Sequence, residues 1–120
     1  LDLSSYIADN NSNGTPNPAS ATIADGKLFI AMQRLSDSFS PNKAYVAVFD
    51  TATDQEIETN ADANDNLKGI PLQGLNPLNH SIVSQGDTVY VTTRNSYSSA
   101  DLTSSRIEAI ATSDYNLSSV

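Results

Sequence analysis

The chain has 120 residues, 38% of them hydrophobic, with no Trp, no Cys and a formal net charge of −8. That length supports one domain with a lean core, and the missing Cys excludes disulfides, thiolate metal sites and Cys nucleophiles. Six scattered basic residues give no footprint for nucleic acid, and no apolar run reaches the roughly 18 residues of a transmembrane segment.

Residues 1–7 place Leu1, Leu3 and Ile7 in a short apolar pattern that suggests a strand. Residues 9–18 are a polar loop, with Gly14, Pro16 and Pro18 interrupting any regular ladder. Residues 21–24 and 27–35 follow as strands around Asp25-Gly26, the dipeptide of a tight hairpin turn. Leu28 to Met32 is continuously apolar, as is Tyr45 to Phe49 after the loop 36–43. A strand with one wet face alternates, so continuous runs imply cover on both faces. After a tight turn at 50–54, residues 55–59 form a fourth strand with Glu56 and Glu58 on its solvated side, an outer edge guarded by charge.

A second polar loop, 60–68, leads to a strand at 69–72, and the pattern then restarts. Asn76-Pro77 matches Asn17-Pro18, and Gln85-Gly86 matches Asp25-Gly26, offsets of 59 and 60. Residues 88–94 correspond to a stretch from Lys27 to Gln33 or Arg34, 106–112 to 44–50, 113–116 to the tight turn, and 117–120 to the fourth strand. Four antiparallel strands per unit, repeated, are the pattern of a β-propeller blade, lengthened here by two long loops per unit.

Ala24-Asp25-Gly26-Lys27-Leu28-Phe29-Ile30-Ala31, then Tyr45 to Ile57 with its Asp50-Thr51-Ala52-Thr53-Asp54 turn, resembles the YVTN-type β-propeller repeat, as does Val89-Tyr90-Val91-Thr92. The resemblance covers nearly the whole chain and is nearest to bacterial secreted or lipoprotein members. It implies a fragment of a larger, most often seven-bladed propeller outside the cytoplasm: periplasmic, cell-surface or secreted. On this reading residues 1–16 are the end of a preceding blade, 17–75 a first unit and 76–120 a second. The second unit departs from the pattern at Thr112-Ser113-Asp114-Tyr115.

Two units cannot close a ring, and an open pair leaves faces and edges unpaired. The expected partners are therefore the remaining blades or another protein chain. The competing architecture is a free-standing all-β domain, either a β-sandwich or a chain that closes by oligomerising. Three functions follow: a non-enzymatic binding or scaffold surface, a propeller enzyme completed by other blades, or a self-contained structural or adhesive protein.

The sharpest ligand pattern is Asp9, Asn11, Asn13 and Thr15 with Gly14, the first half of a calcium-loop spacing. Position twelve is Ser20 rather than Glu, and the competing reading is an Asx-turn-rich loop. Asp62, Asn64 and Asn66 repeat the spacing with Leu67 where Gly belongs. Gln33, Arg34 and Arg94 end the second strands, where a propeller's ligand-binding rim lies, and serve either a ligand or contacts between blades. His80 lacks a sequence partner for catalysis, and the Glu56/Glu58 pair is expected to be a solvated face. Four Asn-X-Ser/Thr sequons, at Asn10, Asn13, Asn79 and Asn116, are about what an Asn-, Ser- and Thr-rich chain contains by chance.

Overall fold

A computed structural model describes residues 1–59, 65–95 and 103–120. Among them the regular structure is one 3-10 turn and eight strands, with no α-helix. Sheet 1 runs β1 (Pro18–Ala24), β2 (Lys27–Met32), β3 (Lys43–Asp50) and β4 (Ile70–Leu75). Sheet 2 runs β5 (Ile82–Gln85), β6 (Thr88–Thr93), β7 (Arg106–Ala111) and β8 (Leu117–Ser119). Each sheet is a four-stranded antiparallel meander in chain order.

Local chemistry accounts for the meanders. Asp25 and Gly26 both have positive φ (50° and 68°), closing the first hairpin tightly. In the second hairpin only the first turn residue, Gly86, has positive φ. Asp25-Gly26 thus corresponds to Gly86-Asp87, one position later than the glycine offset suggests. Equivalent ladder and turn residues are 61 apart: Lys27 and Thr88, Asp50 and Ala111, Asp54 and Tyr115. The tight turns repeat as well, with Asp54 N–H donating to Asp50 O and Tyr115 N–H to Ala111 O.

The fourth lane of sheet 1 corrects the sequence reading. Residues 55–59 form no strand; Glu56 makes a single bridge to Phe49, and Ile57 N–H donates to Val48 O at 2.8 Å. The chain then leaves the lane and returns, with Thr59 N–H donating to Lys68 O at 2.8 Å. Ile70 and Pro71 take over the pairing with Val46 and Tyr45 as β4. Apolar Ile70 and Leu72, both buried, hold the lane where Glu56 and Glu58 have nothing to bury.

Residues 1–7 are likewise not a strand. Asp2 Oδ1 accepts Ser4 N–H at 2.9 Å, which starts a 3-10 turn at Ser4–Tyr6. That amide holds the Asp2 carboxyl below its ordinary range. The turn delivers Tyr6, fully buried, rather than Ile7.

Two apolar clusters result. One lies between the sheets and joins Phe29, Ala31, Val46, Val48, Ile70 and Leu72 to Ile82, Val89, Val91 and Ile110. The other lies on the opposite face of sheet 1, where Tyr6, Leu3 and Leu67 cover Ile30, Met32, Tyr45, Ala47 and Phe49. The continuous apolar runs of β2 and β3 are therefore buried on both sides. In β6 burial alternates instead.

Tyr6 closes the second cluster. Its hydroxyl donates to Glu56 Oε1, its ring lies 6.0 Å from that of Tyr45, and Arg34 Nε donates to its carbonyl at 2.8 Å. Burial, reinforced by the bond to Glu56, pushes the phenol well above its ordinary value near 10. The folded state thus holds the Tyr6 proton more tightly than the unfolded chain. Its contribution is complete below pH 10 and is lost as pH rises above it. The shallow loss from Lys27, held up by its bond to Asp25, has the same sign. Urea melts across about pH 9 to 11 are expected to show a smaller alkaline loss for Tyr6→Phe than for the parent, because Lys27 is common to both. Equal losses would detach Tyr6 from the pH dependence.

Candidate functional site

The matched registers give each sheet two comparable faces. On sheet 1, Thr22, Phe29, Ala31, Val46 and Val48 form one face, called A; Leu28, Ile30, Met32, Ala47 and Phe49 form the other, B. Face A of sheet 1 meets sheet 2. The sheet 2 residues that meet it are Val89, Val91 and Ile110 with Glu108, which occupy the positions of Leu28, Ile30, Phe49 and Ala47. Sheet 2 thus offers its face B. The sheets stack head to tail, not same face to same face.

Several polar contacts fix this junction. Thr22 Oγ1 and Ser84 Oγ are 3.1 Å apart, and Gln33 Nε2 donates to Asn76 Oδ1 at 2.7 Å. Glu108, fully buried on β7, accepts the backbone N–H groups of Gln73 (2.8 Å) and Gly74 (3.0 Å) on β4. Those amides are free of the β3 ladder because its register shifts between Lys43 and Tyr45. No Lys or Arg pairs with Glu108 among the described residues, so amide donors carry the carboxylate.

Face A of sheet 2 is open. It comprises Val83, Tyr90, Thr92, Ile107 and Ala109, with Val83 59% and Ile107 47% exposed. At its loop end a cavity of about 510 Å3 is lined by Thr92, Thr93, Arg94, Ser105, Arg106, Ile107, Ser119 and Val120. Arg106 Nη1 donates to Gln73 Oε1 at 3.3 Å.

The rim residues separate. Gln33 reaches Asn76 across the junction. Arg34 turns back onto its own sheet, donating to Tyr6 O and Lys43 O with its guanidinium 5.0 Å above the Tyr45 ring. Arg94 lines the cavity. Backbone bonding pairs Gln33 with Arg94, both donating to the Asn of an Asn-Pro step, and Arg34 with Asn95; the two arginines are not equivalent.

In the 9–15 loop, Asn11 Nδ2 donates to Leu35 O at 2.7 Å, Ser12 N–H and Asn13 Nδ2 donate to Asp37 Oδ1, and Thr15 Oγ1 accepts Asn17 N–H. Asp37, which the sequence pattern did not single out, organises the loop. Asp9 is exposed, and Asn11 Oδ1 is buried with no partner among the described residues. Among the described residues no group of three or more His, Asp or Glu is placed to hold a metal. Asp62 and Asn64 lie outside the described residues; Asn66 is exposed with φ 56°. His80 is exposed at the β4–β5 connection with φ 62°. Glu56 binds Tyr6 rather than forming a free carboxylate pair.

Comparison with protein-family models, with curated proteins and with solved structures found no match in any of the three.

Proposed function

We propose that the chain is two consecutive blades of a YVTN-type β-propeller outside the cytoplasm, acting as a non-catalytic binding or scaffold surface. The observation that carries this reading is the stacking of face A on face B. Head-to-tail contacts leave one A face and one B face at the ends and so invite further units, whereas a two-fold contact uses itself up. Open face A of sheet 2 is where a following blade belongs. The extracytoplasmic setting rests on the sequence resemblance alone.

A self-contained two-sheet sandwich is the second reading, favoured by the segment 1–7, which covers face B of sheet 1. The coding sequence on both sides of Leu1 and Val120 decides between them. A propeller requires further Asn-Pro and hairpin patterns about 60 residues apart; start and stop codons at these positions would establish the sandwich.

Calcium in the 9–15 loop belongs to the propeller proposal as a stabilising ligand, with Asn11 Oδ1 the donor in want of a partner. Calcium is then expected to raise Tm, with the rise lost on Asp9→Ala. A loop closed by Asp37 alone gives no calcium shift and loses about 1–2 kcal/mol on Asp37→Ala. Paired melts of the three proteins, with calcium and with chelator, separate the two.

A further inference from the structure

We infer that segment 1–7 is an autoinhibitory plug: it covers the sheet 1 face onto which the open sheet 2 face of a second copy of this chain stacks.

The chain already contains one instance of the contact. Face A of sheet 1, with Phe29, Ala31, Val46 and Val48, receives face B of sheet 2, with Val89, Val91 and Ile110. The unused pair is face A of sheet 2, with Val83, Tyr90, Ile107 and Ala109, and face B of sheet 1, with Leu28, Ile30, Met32, Ala47 and Phe49. The first is open; the second is closed by Leu3 and Tyr6, with Leu67 packed beside them.

The plug is held by few groups. Tyr6 is fully buried, Leu3 only partly, and Leu1 is 64% exposed. Its polar anchors are the Tyr6 hydroxyl, bonded to Glu56 and to the Gly69 backbone, and Arg34 on the Tyr6 carbonyl. Beyond Ala8 the chain passes into the polar loop, which Asp37 holds independently.

A polar contact also has its counterpart waiting. Within the chain Gln33 donates to Asn76 Oδ1. The equivalent donor on sheet 2 is Arg94, which lines the cavity beside Ile107. The equivalent acceptor is Asn17, whose Oδ1 takes Leu35 N–H at 2.9 Å and only a long contact of 3.5 Å from Asn11 Nδ2, the one an arginine would displace. Stacking therefore brings Arg94 of one copy to Asn17 of the next. Ala47 stands in Glu108's place at this contact, so the buried carboxylate staple is absent and the assembly is weaker than the internal junction.

The inference uses stacking seen inside the chain and is independent of ring closure, so flanking repeats and self-assembly fail separately. The test is sedimentation velocity at about 100 µM, suited to weak interfaces, on the parent, on a chain starting at Ala8, and on that chain with Ile107→Glu or Arg94→Ala. The parent is expected to be monomeric. The shortened chain should at least double its weight-average mass, with Ile107→Glu restoring the monomer and Arg94→Ala weakening assembly several-fold. A shortened chain with native circular dichroism that stays monomeric overturns the inference, as does assembly that ignores Ile107→Glu. Should shortening cost the fold, Leu3→Asp with Tyr6→Phe decides. It removes the apolar cover of Leu3 and the hydroxyl anchor on Glu56 while the ring keeps the core filled, so mass above the parent that Ile107→Glu removes supports the plug, and parent-like monomer refutes it.

Discussion

Glu108→Ala is expected to lower the stability of the folded chain by about 3 kcal/mol, because it strands the two backbone N–H groups that the carboxylate accepts. The cost is unequal between them. Gln73 is exposed, so water can replace the lost acceptor, whereas Gly74 is buried and has no such remedy. Burying a carboxylate is itself expensive, which offsets part of the loss and keeps the figure below the sum of two orphaned donors. Glu108→Gln retains one acceptor oxygen and should cost about half as much. Urea denaturation reads both. A loss under about 0.5 kcal/mol, the level of a surface change, for Glu108→Ala would mean that the junction does not depend on this residue.

The second large effect is expected at Gly74. A Cβ there would stand 1.8 Å from Thr93 Oγ1 and 2.7 Å from Thr93 Cβ, inside any tolerable contact. Thr93 is 2% exposed on β6 and cannot swing into solvent. Gly74→Ala must therefore move β4 away from sheet 2, breaking the bonds to Glu108 as it goes, for about 3 kcal/mol or more. Adding Thr93→Ala removes the nearest atom but not the Cβ, so it should recover part of the loss, a favourable coupling of about 1 kcal/mol in a double-mutant cycle. Strictly additive losses would place the two residues out of contact.

These two residues also show what the sequence could and could not disclose. The all-β class, the Asp25-Gly26 hairpin and the double-sided burial of Leu28–Met32 and Tyr45–Phe49 are written in turn chemistry and hydrophobic pattern. The fourth lane is not. Residues 55–59 follow the tight turn directly and look like the next strand, while Ile70–Leu75 carries Pro71 and Gly74, which read as interruptions. Only the register shift opposite Lys43 and Tyr45 makes those residues useful.

β7 misleads in a similar way. In Arg106-Ile107-Glu108-Ala109-Ile110-Ala111 the alternation puts Ile107 and two alanines on one face, and Glu108 with Ile110 on the other. Pattern alone buries the first set, whereas the structure buries the second because β4 supplies amide donors to Glu108. A donor pair created by an irregular strand some thirty residues earlier leaves no local trace. Asp37, which gathers the 9–15 loop, is hidden for the same reason: its partners lie more than twenty positions away.

The one-residue difference between the glycine offset and the ladder offset matters most. A slip of one reverses which side chains face the neighbouring sheet. Aligning the glycines alone would exchange faces A and B in the second hairpin and erase the head-to-tail relation.

The head-to-tail relation can be tested by a cross-link in a chain with no native Cys. Thr22 Oγ1 and Ser84 Oγ lie 3.1 Å apart, from β1 on face A of sheet 1 to β5 on face B of sheet 2. The variant Thr22→Cys with Ser84→Cys is predicted to oxidise to an intramolecular disulfide in the folded protein and to do so far more slowly in denaturant. Pairing Thr22→Cys with Val83→Cys, which points out of face A of sheet 2, should leave both thiols free. A disulfide through Val83→Cys and none through Ser84→Cys would contradict the stacking.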